Sequence, residues 1–271
     1  VIVQSAAEGQ PHFIITQKDH ARMAGQLAQA WGNAQFASLL PREPMEYMVA
    51  HHDEGWIALD EQCLMDEKTR LPYHLTQTPL LELIKTGAGS PDFNEAHHAY
   101  SGLISSMHTW GLYNGRYGLS DKIFINSIPA EHRPAVDKLL DGEIARQERL
   151  KRELDQVNTG IAVWIQPPQL FHNYKLLQFF DTLALYFHTT HEEARGEATF
   201  LNVPIGVGND TTVTIKRSEG AYYVNPYPFA QEALEVYVEG RYLYSLKEGM
   251  TLKDTLQSTP ITKQTYRLVK G

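Results

Sequence analysis

The sequence predicts a mainly α protein: a helical bundle carrying a small antiparallel β unit built from the C-terminal segment, with two short N-terminal strands as candidates to join it. Three observations carry this expectation. Apolar residues recur at helical spacing through most of residues 17–190. From about residue 196 the chain becomes rich in Gly, Thr, Val and Tyr, with period-2 stretches such as TVTIKR and EALEVYVEGRYLY. Histidine stops at the same border, the last of the 12 being His191. The expected division is therefore 1–16 for the N-terminal strands, 17–195 for the helical part and 196–271 for the β unit.

Taken in order, VIVQSAAEGQPHFIIT reads as two short strands around a Glu-Gly-Gln-Pro turn. From Gln17 the pattern is helical. His20, Ala24, Leu27 and Trp31 share one stripe, Thr16 is placed to cap the helix, and Gly32-Asn33 to end it. A second helix is expected after Pro44, with Met45, Met48 and His52 on its inner face. Residues 57–80 lack periodicity and read as a long loop, followed by a short turn at 80–86. Residues 93–110 read as one helix with His97, Ser101, Ile104 and His108 along a face. Residues 131–158 form a charged, partly exposed helix. Beyond Pro167-Pro168, residues 169–190 form another, with Tyr174, Gln178, Asp181 and Leu185 on one side. In the β unit, Ser218-Glu219-Gly220 and Glu239-Gly240 are the expected turns, and VNPYPF a rigid turn into a strand.

Composition limits the function. A net charge of -8 argues against nucleic acid as a partner, because phosphate backbones select basic surfaces. No apolar run reaches the length of a membrane span, and no basic-then-apolar leader opens the chain, whose start at Val1 fits a trimmed or partial sequence. A single cysteine, Cys63, excludes an internal disulfide or a thiolate metal cluster and suits a reducing, cytoplasmic setting.

Residues 51–56, HHDEGW, crowd two histidines and two acids together. Alone, such a cluster is equally well a solvated helix end. It gains meaning because His20 and Asp181 also fall on inward helical faces, and a buried Asp beside Phe179, Phe180 and Leu183 needs a partner. Imidazole and carboxylate without sulfur suit a divalent Mn, Fe, Co, Ni or Zn ion. His20, His52, Asp53 and Asp181 are the candidate ligands.

The order His20, then HDEG at 52–55, then a distant Asp181 within LLQFFDTLALYF resembles the HD-domain superfamily of metal-dependent phosphohydrolases over residues 17–190. More closely, QKDHARMAGQLAQAWGN, HHDEGW, SSMHTWGLY, LLQFFDTLALYF and VNPYPF together resemble the family catalogued as domain of unknown function 3891. The HD likeness implies an HD-like helical bundle, these four residues as metal ligands, and extra histidines between the HD pair and the last Asp in relatives that hold two metals. On one unbroken helix His97 and His108 would lie about 16 Å apart, so both cannot serve one centre. His108, within the family-like SSMHTWGLY, is taken as the catalytic proton carrier, and Gln178 as a contact to substrate or water.

The expected function is a metal-dependent hydrolase of a phosphoester or phosphoanhydride with a small-molecule substrate, Arg22 and Arg116 being the candidate phosphate clamps. An iron oxygenase and a non-catalytic, metal-stabilised binding protein are the alternatives. His51 reads as a neighbour of the ligands or a surface residue, Asp19 as a first-turn helix charge, Trp31, Trp56 and Trp110 as walls of the site, His12, His132 and His172 as surface residues, and His188 and His191 as outside the set.

Overall fold

The computed structural model describes residues 1–157, 159–244, 246 and 249–271. Its elements run β1 (Ile2–Val3), β2 (His12–Ile15), α1 (Gln17–Ala30), α2 (Arg42–Ala50), α3 (Ile57–Gln62), α4 (Leu80–Gly87), α5 (Gly89–His97), α6 (Ala99–Tyr113), α7 (Arg133–Val157), α8 (Thr159–Ala162) and α9 (Pro167–Thr189). The β-rich part then follows as β3 (Ala198–Gly206), β4 (Asn209–Ser218), β5 (Ala221–Asn225), β6 (Ala233–Leu243), α10 (Leu252–Gln257) and β7 (Thr262–Lys270).

All seven strands belong to one sheet in the order β1-β2-β6-β7-β5-β4-β3, strongly curled into a half-barrel. This corrects the expectation of a mainly α protein: the fold is mixed α/β. Strands of nine to eleven residues such as β3, β6 and β7 are long enough to cover two helices. Nor is the sheet purely antiparallel, since β5 pairs with β7 in parallel through Tyr222↔Leu268 and Val224↔Lys270. The N-terminal strands do join it, with β2 adding antiparallel to β6 through His12↔Leu243 and Ile14↔Arg241.

Gly240 was expected in a turn, but β6 runs straight through it. A Cβ there would lie 2.6 Å from the Ile14 carbonyl oxygen and from the Phe13 ring, so the position needs glycine for close approach of β2. The Ser218-Glu219-Gly220 turn is present, with Glu219 and Gly220 at φ of 49° and 76°.

The concave face of the sheet wraps α1 and α9. Val213, Ile215, Val224, Val236, Val238 and Leu268 pack into one buried cluster with Met23 and Leu27 of α1 and Phe180 and Phe187 of α9. Arg195, just beyond α9, fastens this junction. Its guanidinium lies among the rings of Tyr186, Phe187, Tyr222 and Tyr266 at 5.2–5.7 Å. It donates to the Phe187 and Thr190 carbonyls and to the Tyr222 hydroxyl.

Several helices depart from the expected boundaries. Helix α2 starts at Arg42, before Pro44, because a proline in the first turn removes an N–H that has no helical partner anyway. The expected loop at 57–80 contains α3, and the turn at 80–86 is α4. Helix α7 replaces the helix expected at 131–158, whose last position lies outside the described residues, as do 245, 247 and 248 of the β unit. The single helix expected at 93–110 is two. His98 leaves helical geometry and its side chain accepts from the Tyr100 N–H, capping α6, while α5 ends at His97. His172 is buried at 3% exposure rather than on the surface, because this part of α9 packs against β3, with the Gly206 backbone beside the ring.

A candidate metal centre between α1, α2, α6 and α9

Four segments that are far apart in sequence deliver the polar residues of the core. Thr16 caps α1 by accepting from the Asp19 N–H, which fixes the first turn and aims His20 inward at 1% exposure. Helix α9, apolar nearly all round, brings Gln178, Asp181 and His188 into the same interior. Helix α6 contributes His108 at 5% exposure.

His52 lies just past the end of α2, not on it. The helix closes at Ala50, and the His52 imidazole turns back so that Nδ1 donates to the Val49 carbonyl at 2.8 Å. That carbonyl is one of those left over at any helix C-terminus. With Nδ1 protonated, Nε2 carries a lone pair, and among the described residues it makes no hydrogen bond although fully buried. The chain then runs tightly through Asp53 into a 3-10 turn at Glu54–Trp56. Gly55 backs against the α4–α5 corner, where its N–H donates to Ser90 Oγ at 2.9 Å.

The ligand-type atoms converge. His20 Nε2 is 3.2 Å from Asp181 Oδ1, His52 Nε2 is 3.9 Å from the same oxygen, and His52 Nε2 is 3.5 Å from Asp53 Oδ2. His20, His52 and Asp181 place one ligand atom each within 4.8 Å of the others, as do His52, Asp53 and His108. The two triads share His52. Adjacent and opposite ligands on a first-row divalent ion lie roughly 3.0 and 4.2 Å apart, given bonds of about 2.1 Å. The observed spacings span that range, so a buried group of His20, His52 and Asp181 could hold a metal ion.

The protons sharpen this test. His188 Nε2 lies 2.9 Å from Met23 Sδ, and a thioether has no hydrogen to give, so Nε2 carries the proton. His188 Nδ1 is then an acceptor, and His20 Nδ1 donates to it at 2.9 Å. The neutral His20 ring is left with a lone pair on Nε2, facing a carboxylate oxygen. Two acceptors at that distance in a buried site need a cation between them, either a proton that makes His20 an imidazolium or a metal ion.

The electrostatics agree. Burial works to raise the Asp181 carboxyl, but the His20 hydrogen bond and the nearby imidazoles outweigh it and hold the group well below the usual carboxylate range. Burial also raises Asp53, with repulsion from Asp181 adding to it and His52 and His20 opposing. Burial opposes charge on His52 as well, yet Asp53 and Asp181 together pull its pKa up. Two carboxylates thus share the site with imidazoles alone, an arrangement that could hold a metal ion.

Burial pushes His108 down to about 3, so it is neutral near pH 7. Gln178 Nε2 donates to His108 Nδ1 at 2.9 Å, which leaves the ring proton on Nε2 and Gln178 Oε1 without a partner. A half-turn of the carboxamide reverses the roles: Nδ1–H then donates to Oε1, and Nε2 offers a lone pair.

The other candidates lie elsewhere. His97 is on the surface, paired with Glu43 at 2.7 Å and stacked on Tyr47. His51 is held by Glu54 at 2.5 Å. Asp19 and Arg22 pair with each other on the exposed side of α1, which takes Arg22 away from any role as a clamp at the centre. Trp31 is a core residue packed on Phe36, Phe179 and Phe180, and Trp110 packs on Tyr117. His188, placed outside the set by sequence reasoning, touches His20 directly. Its place seven residues after Asp181, two helical turns along the same stripe, was the signal available.

No helix is long and apolar enough to cross a membrane among the described residues. Neither the curated proteins nor the solved structures contain a match, and nothing in these comparisons links the chain to the HD-domain superfamily. The model of one family matches residues 1–245, and the chain belongs to that family, described as protein of unknown function (DUF3891).

Proposed function

We propose that this protein is a metal-dependent hydrolase acting on a phosphoester or phosphoanhydride of a small molecule. The observation that carries the reading is the buried, unpartnered Nε2 of His52 beside Asp181, with His20 converging on the same oxygen. The order His, His-Asp, Asp shared with HD-type phosphohydrolases supports it, although that likeness is one of sequence pattern alone.

In this reading His20, His52 and Asp181 hold a divalent ion, with Asp53 reaching it from the more open side, where 14% of its side chain is exposed. Such an ion, when bound, lowers the pKa of a coordinated water and polarises a phosphoryl oxygen. The chain's own residues do the rest. Val49 and His188 fix which nitrogen of His52 and His20 faces inward. His108, neutral and carrying its proton on Nε2 in the observed amide orientation, would donate a hydrogen bond from Nε2 to a leaving oxygen and stabilise the charge that develops there. Gln178 holds the ring at Nδ1 and sets its tautomer.

The test is elemental analysis of untagged protein, followed by assays of phosphomonoesters, phosphodiesters and nucleotides with added Mn or Ni under anaerobic conditions. About one equivalent of metal and oxygen-independent hydrolysis that disappears in Asp181→Asn are expected. Protein that neither retains nor takes up metal, or turnover that consumes oxygen, overturns the reading.

A further inference from the structure

Gln178 also lines a cleft of about 300 Å³ whose walls include Arg116, Lys175, Thr182, Phe179 and Phe200. Two of these residues are out of the ordinary. Arg116 sits in the Gly115–Gly118 turn, where four successive residues have φ of 67°, 52°, 56° and 88°. The left-handed conformation is costly for Arg and Tyr, so the turn holds Arg116 where a relaxed loop would not. Arg116 is half-buried, and its guanidinium has no hydrogen bond or ion pair among the described residues. Lys175, by contrast, is neutralised, its ammonium donating to both oxygens of Asp210. Arg116 is therefore the uncompensated charge of the cleft.

Gln178 supplies the independent observation. It is 6% exposed, its Oε1 has no partner, and its Nε2 touches His108. One side chain thus belongs both to the cleft and to the edge of the metal centre. The Arg116 charge is also felt at His108, where it adds to the burial that keeps the ring neutral.

We propose that this cleft is an oxyanion subsite, in which a phosphoryl group of the substrate is gripped by the Arg116 guanidinium beside Gln178. A guanidinium matches two phosphoryl oxygens at once, and one left unpaired in a half-buried cleft is poised for such a group. Phe179 and Phe200 form an apolar wall for the organic part. The volume stands at the lower end of the roughly 300–1,000 Å³ usual for ligand pockets, which fits a small phosphorylated metabolite and not a polynucleotide. Naming the anion as the substrate's rests on the hydrolase reading; its binding at Arg116 does not.

The test is calorimetric titration of inorganic phosphate into the full chain after metal has been stripped by a chelator. Arg116→Asn removes the charge while keeping a residue that tolerates positive φ, so the melting temperature should hold. Phosphate affinity is expected to fall roughly tenfold or more in that variant, with unchanged metal content before stripping. Asp210→Asn frees Lys175 and is expected to tighten phosphate roughly threefold or more. Equal phosphate affinity in wild type and Arg116→Asn, or no binding to wild type at millimolar phosphate, overturns the subsite. Phosphate binding that depends on Arg116 in a protein that never takes up metal supports the subsite and defeats the hydrolase reading instead.

Discussion

Gly55, the glycine of HHDEGW, offers a direct test of how the centre is held. Its φ is not in the left-handed region, so alanine is not excluded by backbone conformation. Space is the constraint. A Cβ at this position would lie 2.5 Å from the Thr86 carbonyl oxygen, 2.7 Å from Ser90 N and 3.1 Å from Gly89 C. All three are backbone atoms, so none can rotate away. Ordinary contact begins at 3.4 Å, so the 3-10 turn must retreat by about 0.9 Å from the α4–α5 corner. Overpacking of this kind costs roughly 1–3 kcal/mol. With an unfolding entropy of about 2.1 cal/mol/K per residue, that corresponds to a fall in Tm of roughly 2–5 °C for a chain of this length. The displacement also carries Asp53 and His52, and ligand sets tolerate only about 0.5 Å of error, so metal affinity should weaken by roughly tenfold or more. Thermal melts of the stripped protein and competition with a chromogenic chelator measure the two effects. A Gly55→Ala protein with unchanged Tm and unchanged metal affinity would refute the reasoning.

Three further predictions concern the wings of the centre. Met23→Leu leaves the His188 Nε2–H without its sulfur acceptor, so the His20 tautomer is no longer fixed; metal affinity measured by the same competition should fall about 10–100-fold although no ligand has been removed. Arg195→Ala removes the donor to the Thr190 carbonyl, leaves the Phe187 carbonyl with Gln4 Nε2 alone, and takes a cation from four aromatic rings. Urea unfolding should show a loss of roughly 2–4 kcal/mol, and a loss below about 0.5 kcal/mol would mean the junction holds without it. For pH, burial holds His108 down near 3 in the folded protein. The unfolded chain therefore binds a proton there that the folded chain refuses between about pH 6.5 and 3, and stability falls as pH falls through that window. His108→Gln should flatten this part of the stability-pH curve in stripped protein, and an unchanged slope would show that the ring is not held neutral.

The sequence alone determined the local half of this protein. Thr16 followed by Asp19 specified a helix start, and the His20, Ala24, Leu27 stripe specified which side of α1 turns inward. The pair of prolines at 167–168 marked the start of α9, and Ser218-Glu219-Gly220 marked a hairpin. Such features depend on residues within one or two turns of each other, and the physics of caps, stripes and turns acts over that range. The inward histidines and Asp181 were legible for the same reason.

What the tertiary structure decided was everything that depends on a partner distant in sequence. Periodicity does not tell an appended β unit from a sheet that wraps α1 and α9, because the pairing of β2 with β6 and the parallel pairing of β5 with β7 leave no mark on either segment alone. Gly240 looked like a turn until the strand it faces was in place. The break at His98 depends on a side chain folding back on the backbone, which a helical stripe hides. His52 reached its position because the helix before it stops short, and its tautomer was set by the carbonyl that the stop left free. The surroundings of His188 and Arg116 came into view only with the fold: a thioether with no proton to give, and a cleft whose other cation is already paired.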